Sequence, residues 1–396
     1  MSHNILHAPQ ATNIADMTTV TVIGDGQLAR MMQTEAIELG IHLRLLAGAK
    51  DSSAAQVIPD TVLGDYTHLD DLQRAARGVV TFDHEHVPTQ HLHTLIDEGV
   101  AVHPGPDALV HAQDKLVMRR KLREIGAPVP EFAGVKSAAE ALKFWDSVDG
   151  QVCLKATRGG YDGHGVWFPK SREECEALVD KLLGEGVPLM AERKVPFTRE
   201  LSAMVARRPS GETRAWAVVE SVQRDGICVE AIAPAPALSD ELAANCQELA
   251  TRIAEELGVT GVMAVELFEH DGTVSVNELA MRPHNTGHWT QNGCVTSQFE
   301  QHLRAVTDLP LGSVEPISEV TVMANVLGGD TDPEMPMEQR IAEVMQRYPE
   351  ASIHLYGKSW RAGRKLGHVN VRGRDVEATR EAAQDAAHFL VTANWR

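Results

Sequence analysis

Positive charge is scarce in this chain. Against 55 Asp and Glu stand 37 Lys and Arg, a net charge of -18 at pH 7. Such a surplus of acid repels polyanions, which argues against a general nucleic-acid binder or a protein that coats anionic membranes. Long apolar runs are missing as well. No stretch reaches the roughly 18 apolar residues that a membrane span requires. Cysteine is sparse: Cys153, Cys175, Cys228, Cys246 and Cys294 form no C-x-x-C pair. Their odd count fits reduced thiols that serve as small core residues. The first seventeen residues contain neither Lys nor Arg and no long apolar segment. No signal peptide or anchor is expected there, but a disordered leader over 1–17, with Met17 as a second candidate start. A cytoplasmic location is expected.

What the chain does have is concentrated in two distant places. Leu154-Lys155-Ala156-Thr157-Arg158-Gly159-Gly160-Tyr161-Asp162-Gly163-His164-Gly165 ends a strand on a lysine and then places four glycines within seven residues. Backbone N–H groups in such a loop can approach phosphate oxygens without side chains in the way, and the lysine puts a cation at its base. It is not a P-loop, because G-x-x-x-x-G-K-[ST] is absent there. Alone, the loop fits a polyphosphate lid or an ordinary glycine-rich hairpin equally well. The second place is Gly261 to Ala280, two apolar runs around Asp271-Gly272, each carrying one glutamate. It predicts a β-hairpin, with Glu266 and Glu278 on one face if a five-residue loop, Glu269 to Thr273, joins the strands. Carboxylates in strands otherwise apolar need a cation, and hard oxygen ligands with room for water and phosphate point to magnesium. Asn277, Arg282, His284 and Asn285 crowd the same end.

Elsewhere, Thr19 to Ile23, Gly24-Asp25-Gly26-Gln27, a helix from about Leu28 to Leu39 and a strand from His42 to Ala47 form a β-Gly-α-β opening. This is a dinucleotide-type pattern, but the second strand lacks the acidic residue that would hold a ribose hydroxyl. A further strand, Val79 to Phe82, ends in Asp83-His84-Glu85-His86. Neighbours in an extended segment point to opposite faces, so these four do not converge on one metal ion; a substrate site is favoured over zinc. A basic helix opens at Gln113-Asp114-Lys115 and runs through Arg119, Arg120, Lys121 and Arg123, charges expected mostly on a solvated face. Tyr356 to Arg374 holds six basic residues, Lys358, Arg361, Arg364, Lys365, Arg372 and Arg374, and no acid. The glycines among them suggest a backbone folded around an anion.

The glycine loop with Lys155, Glu200 in PFTRELSAMVAR and the Glu266/Asn277-Glu278 hairpin resemble the ATP-grasp superfamily of ATP-dependent carboxylate-amine ligases. Within it RGGYDGHG, NELAMRPHNTGHWTQNGCVTSQFEQHLRAVTDLPLG and HLYGKSWRAGRKLGHVNV resemble the N5-carboxyaminoimidazole ribonucleotide synthetase family, from about Val20 to Val371. The resemblance implies a mixed α/β and α+β chain: a Rossmann-like pre-ATP-grasp domain at 18–115, a two-lobed ATP-grasp core at 116–311 and a small C-terminal domain at 312–396. It implies ATP- and bicarbonate-dependent carboxylation of 5-aminoimidazole ribonucleotide in purine (IMP) biosynthesis, through carboxyphosphate, with release of ADP and phosphate. ATP would be held by Lys115, Lys155, the loop residues Gly160, Tyr161, Asp162, Gly163, His164 and Gly165, and the adenine hinge Glu192, Arg193, Lys194 and Val195. Glu200 would take the ribose hydroxyls, with Gln223, where the family often has His, and Asn277 and Glu278 completing the site. Magnesium, as two ions or with manganese substituting, would sit on Glu266 and Glu278. Gly26, Gln27, Leu28, Glu85, Tyr161, Asp162, Lys358, Arg364 and Lys365 would hold the ribonucleotide. Arg282, His284 and Lys358 are the expected catalytic residues: a guanidinium fork grips a planar carboxylate, and imidazole moves a proton. A homodimer, with hand-off of the product to a downstream mutase, is the implied assembly.

Three alternatives stay open. A formate-using glycinamide ribonucleotide transformylase or a biotin carboxylase shares the ATP site and differs in acceptor. A nicotinamide-dependent oxidoreductase would use the opening β-Gly-α-β unit. A non-catalytic nucleotide-binding regulator has little reason to keep Glu266, Glu278, Arg282 and His284 together.

Overall fold

The structure, a computed structural model, describes residues 18–159 and 164–396. Residues 1–17, expected to be a leader, and the expected loop contacts Gly160, Tyr161, Asp162 and Gly163 lie outside the described residues. Three sheets organise the rest. The first is parallel and runs in the order β3-β2-β1-β4-β5. Its strands are β1 (Thr19–Ile23), β2 (His42–Ala47), β3 (Asp60–Leu63), β4 (Val79–Phe82) and β5 (Ala101–Val102). Val20, Val22 and Ile23 of β1 are fully buried, as expected where helices cover both faces of a parallel sheet. Strand order reverses beside β1, which opens a crevice at the carboxyl ends of β1 and β4. Gly24-Asp25-Gly26-Gln27 and Asp83-His84-Glu85 follow those two ends.

A small antiparallel sheet comes next, in the order β6-β9-β7-β8. It comprises β6 (Phe132–Val135), β7 (Val152–Ala156), β8 (Val166–Trp167) and β9 (Leu189–Arg193). Two helices, Ala138–Ser147 and Arg172–Gly184, share its core. Each is opened by a serine, Ser137 or Ser171, whose side chain accepts an orphan backbone N–H of the first turn.

The third sheet has nine strands: β10 (Arg199–Arg207), β11 (Thr213–Ala215), β12 (Val219–Arg224), β13 (Ile227–Ala233), β14 (Gly261–His270), β15 (Thr273–Ala280), β16 (Val320–Leu327), β17 (Ser352–Leu355) and β18 (Lys365–Gly373). Its path is β15-β14-β10-β12-β13-β16-β18-β17, with β11 on β10. The C-terminal segment expected to complete the core therefore does so by adding strands to the same sheet, through the β13–β16 pairing. Phe299, Leu303 and Val306 of the helix Gln298–Val306, together with Tyr356, pack into the core of the N-terminal sheet. Ser53 donates to the Tyr356 carbonyl at 2.6 Å and Gln56 to the Gly357 carbonyl at 2.8 Å, which holds the basic segment against the first domain.

Candidate active site

The hairpin places its glutamates as expected, by a different device. Asp271 and Gly272 have φ of 48° and 72°, the left-handed pair of a two-residue hairpin turn, so the loop is not five residues long. From that turn the strands pair one to one as far as Leu267 with Val276, after which Glu266 faces Glu278. Asn277 is the extra residue of a β-bulge, and it is this insertion that brings both carboxylates to one face. The bulge also sets Asn277 beside Glu278 on the wall of one cavity.

That cavity, about 630 Å³, lies between the second and third sheets. It gathers Lys115, Lys155, His164, Glu192, Arg193, Lys194, Val195, Glu200, Gln223, Glu266, Asn277 and Glu278, with Phe168, Phe197 and Phe268 on its apolar walls. Lys155, at 6% exposure, stands 2.6 Å from a Glu192 carboxylate oxygen and donates to the Asn277 side-chain oxygen at 3.2 Å. The Lys115 ammonium pairs with Glu278. Asp114 caps the helix Lys115–Glu124 by accepting from the N–H groups of Leu116 and Val117.

Several of the expected contact residues are already engaged within the protein. The Glu192 side chain is buried and taken up by Lys155 and Arg119 rather than offered to a ligand. Burial would raise its carboxyl, but Lys155 and Arg119 outweigh that and hold it at about 2. In the hinge, the N–H groups of Arg193 and Lys194 already donate to Glu131 and Gln151 at 2.8 Å each, so neither amide is available to read a base. Gly165 is not among the residues lining the cavity, and its carbonyl accepts from Ala156 N–H at 2.8 Å. Gln223 donates to Ser221 Oγ at 2.8 Å.

Basic and acidic side chains balance in this lining, but three carboxylates, Glu200, Glu266 and Glu278, crowd one another. Burial, and then repulsion from Glu266 and Glu278, pushes the Glu200 carboxyl up to about 7. Burial alone would raise Glu266 too, yet His284, 3.1 Å away, brings it below the ordinary range. No cluster of three or more His, Cys, Asp or Glu able to cage a metal exists among the described residues. Two cross-strand carboxylates beside an anion site fit magnesium, which keeps waters and takes substrate phosphates as its other ligands.

Two further cavities adjoin the first. One of about 310 Å³ is lined by Glu85, Arg158, Glu266, Glu278, Arg282 and His284 among others. Arg282 donates through Nε to Glu85 at 2.8 Å and through Nη1 to the Pro283 carbonyl at 3.2 Å. Burial would raise the Glu85 carboxyl, and Arg282 more than offsets it. Glu85 thus orients Arg282, and also accepts from the Met281 N–H. The other cavity, about 900 Å³, joins Gly26, Gln27, Leu28 and Glu85 of the first domain to Lys358, Arg361, Arg364 and Lys365. Lys358 donates to Gln27, and burial lowers its ammonium below the ordinary lysine value. Arg364 is braced on Ser359. The basic segment divides, for Arg372 and Arg374 do not line this cavity. His284 lines all three cavities, and Lys365 lines the first and the last.

Asp83 settles the role of the glycine turn. Its carboxylate accepts from Gly26 N–H at 3.0 Å and Ala29 N–H at 2.8 Å, occupying the helix N-terminus where a dinucleotide would put its pyrophosphate. A Cβ on Gly26 would lie 2.4 Å from that carboxylate, which is why glycine stands there. Arg119 is the residue that pattern reading missed. It is 1% exposed, not solvated, although its position one helical turn after Lys115 puts it on the same helix face.

Two lobes around a cavity lined by lysines and glutamates, with a Rossmann-like domain ahead of them, define the ATP-grasp class of ligases. The ATP-grasp domain family matches residues 120–299, the ribonucleotide synthetase preATP-grasp domain family 17–113, and the phosphoribosylaminoimidazole carboxylase C-terminal domain family 321–382. The N5-carboxyaminoimidazole ribonucleotide synthase of Corynebacterium ammoniagenes is 59% identical over 394 residues, 98% of this chain and 95% of that protein. A solved structure of the Aspergillus clavatus synthase with ADP and 5-aminoimidazole ribonucleotide superposes with a TM-score of 0.86 at 31% identity, covering 95% of this chain and 99% of that one. The Thermus thermophilus synthetase gives 0.84 at 33%, covering 95% and 100%. The chain belongs to the N5-carboxyaminoimidazole ribonucleotide synthase family.

Proposed function

We propose that the protein carboxylates 5-aminoimidazole ribonucleotide to its N5-carboxy derivative at the expense of ATP and bicarbonate, in purine biosynthesis. The observation that carries this is the shared wall. His284 and Lys365 face both the cavity lined by lysines and glutamates and the basic cavity of Lys358 and Arg364, so two substrates can meet. ATP lies in the first cavity, its phosphates at Lys155 and Lys115, its ribose at Glu200 and its base against Phe168 and Phe197, next to the hinge at Val195. Glu266 and Glu278 would hold magnesium, which when bound neutralises phosphate charge. The ribonucleotide lies in the basic cavity, between Gly26 to Leu28 and Lys358, Arg364 and Lys365.

Bicarbonate is gripped by Arg282, held in place by Glu85, and one of its oxygens attacks the γ-phosphorus as the bond to ADP breaks. In the resulting carboxyphosphate the carbon is taken by the exocyclic amine, directly or as carbon dioxide, while phosphate leaves. The amine gives up a proton, for which the His284 imidazole stands on the shared wall. Water must be kept from the intermediate, which it would hydrolyse, a role this reading gives to the glycine-rich segment that follows Lys155 in the sequence. A cytoplasmic homodimer that hands its product to a mutase belongs to the same proposal and rests on the family relationship.

The test is purified protein with ATP, magnesium and bicarbonate, scored for phosphate release with and without the ribonucleotide. Release should depend on the ribonucleotide, and Glu278→Gln should lose magnesium-dependent turnover with its fold intact. Release indifferent to the ribonucleotide, or stimulated by glycinamide ribonucleotide with formate instead, would reject the proposal.

A further inference from the structure

Lys155 poses an electrostatic problem. The lysine expected at the ATP phosphates is 2.6 Å from Glu192, both are nearly fully buried, and as an isolated pair they present no net charge to an anion. Lys115 is likewise compensated by Glu278. The missing charge comes from Arg119, which engages the second Glu192 oxygen through Nε and donates to the Asn277 carbonyl through Nη2 at 2.7 Å. Two cations and one anion leave the cluster with one net positive charge, in surroundings where such charges are weakly screened.

Arg119 also spans three elements. It sits on the helix that carries Lys115, reaches β9 at Glu192, and holds the bulge residue whose side chain orients Lys155 and whose neighbour is Glu278. Its Nη1 is buried with no partner among the described residues, an arrangement that a well-packed apolar residue would better for stability alone. We propose that Arg119 is a positioning and charge-supplying residue of the ATP site, which keeps the Lys155 ammonium electrostatically available to polyphosphate by sharing Glu192. This rests on the reading of the first cavity as the ATP site. Arg119 does not line that cavity and acts through its neighbours.

The discriminating experiment is calorimetric binding of a non-hydrolysable ATP analogue with magnesium, to the wild type, Arg119→Met, Arg119→Lys and the double variant Arg119→Met/Glu192→Gln. The single methionine variant should bind about tenfold more weakly, and the lysine variant within about threefold of wild type. The double variant restores one net positive charge and should recover most of the loss. A merely structural arginine predicts the opposite, since the double variant removes more of the network. Affinity for aminoimidazole ribonucleotide, at the other cavity, should stay within about twofold throughout. An unaffected Arg119→Met, or a double variant no better than the single one, would overturn the inference alone. Failure of the wild type to bind the analogue would overturn the ATP-site reading and the inference with it. If Arg119→Met does not fold, the double variant, which leaves no carboxylate at position 192 in need of a cation, carries the test: binding within about threefold of wild type supports the inference, and lost binding overturns it.

Discussion

The protonation of Glu200 is set by the site around it. Because burial and the neighbouring glutamates raise it from 4.5 to about 7, the folded protein holds a proton that the unfolded chain would release. Its contribution to stability is therefore complete below about 4.5 and is lost as the pH rises through about 7. Without nucleotide, thermal midpoints should fall over that window, and Glu200→Gln should flatten the fall. A Gln variant with the same slope as wild type would show that other groups dominate. The residue identities were legible, but the partnerships were not. Glu266, Glu278, Lys155 and Arg282 announce themselves by chemistry that is out of place in their segments. Nothing in the string shows that Glu192 belongs to Lys155 and Arg119, or that Asp83 closes the glycine turn, because those partners are 37 or more residues apart.

At the scale of elements, the β14–β15 hairpin divides its work between a turn and a bulge. The turn supplies stability: Gly272 at φ 72° can be replaced by a β-branched residue only with strain. Gly272→Val should cost about 1–2 kcal/mol in urea unfolding and leave the rate of phosphate release unchanged. Equal stability would mean that the turn relaxes to another type. The bulge supplies geometry, by moving Asn277 and Glu278 into place. Sequence signals for the hairpin were strong, since Asp-Gly between alternating runs has few other uses. The bulge has no such signal, because one unpaired residue is decided by how two strands twist and pack, not by its own type.

The whole molecule is built so that its three adjoining cavities lie where units meet. The basic segment after β17 reaches the first domain only because β16, β17 and β18 extend the third sheet and Ser53 and Gln56 hold Tyr356 and Gly357. A chain ending at residue 311 would lose the β16 partner of β13 and bare the core around Ile232. Such a truncation should be recovered insoluble, or unfold without a cooperative transition in urea, whereas a soluble, cooperatively folding product would show that the C-terminal strands are dispensable.

The sequence by itself determined the class of fold, the ligase chemistry and most of the residues that line the cavities, because periodicity, glycine-rich turns and charges set in apolar strands are local properties. It also carried the family motifs from Val20 to Val371. Only the tertiary structure decided which charges neutralise one another, how the two glutamates come to one face, and that His284 and Lys365 stand between two cavities. Those outcomes depend on distances between segments remote in the chain, and Coulomb energies and hydrogen bonds depend on distance and burial, which a linear pattern does not contain.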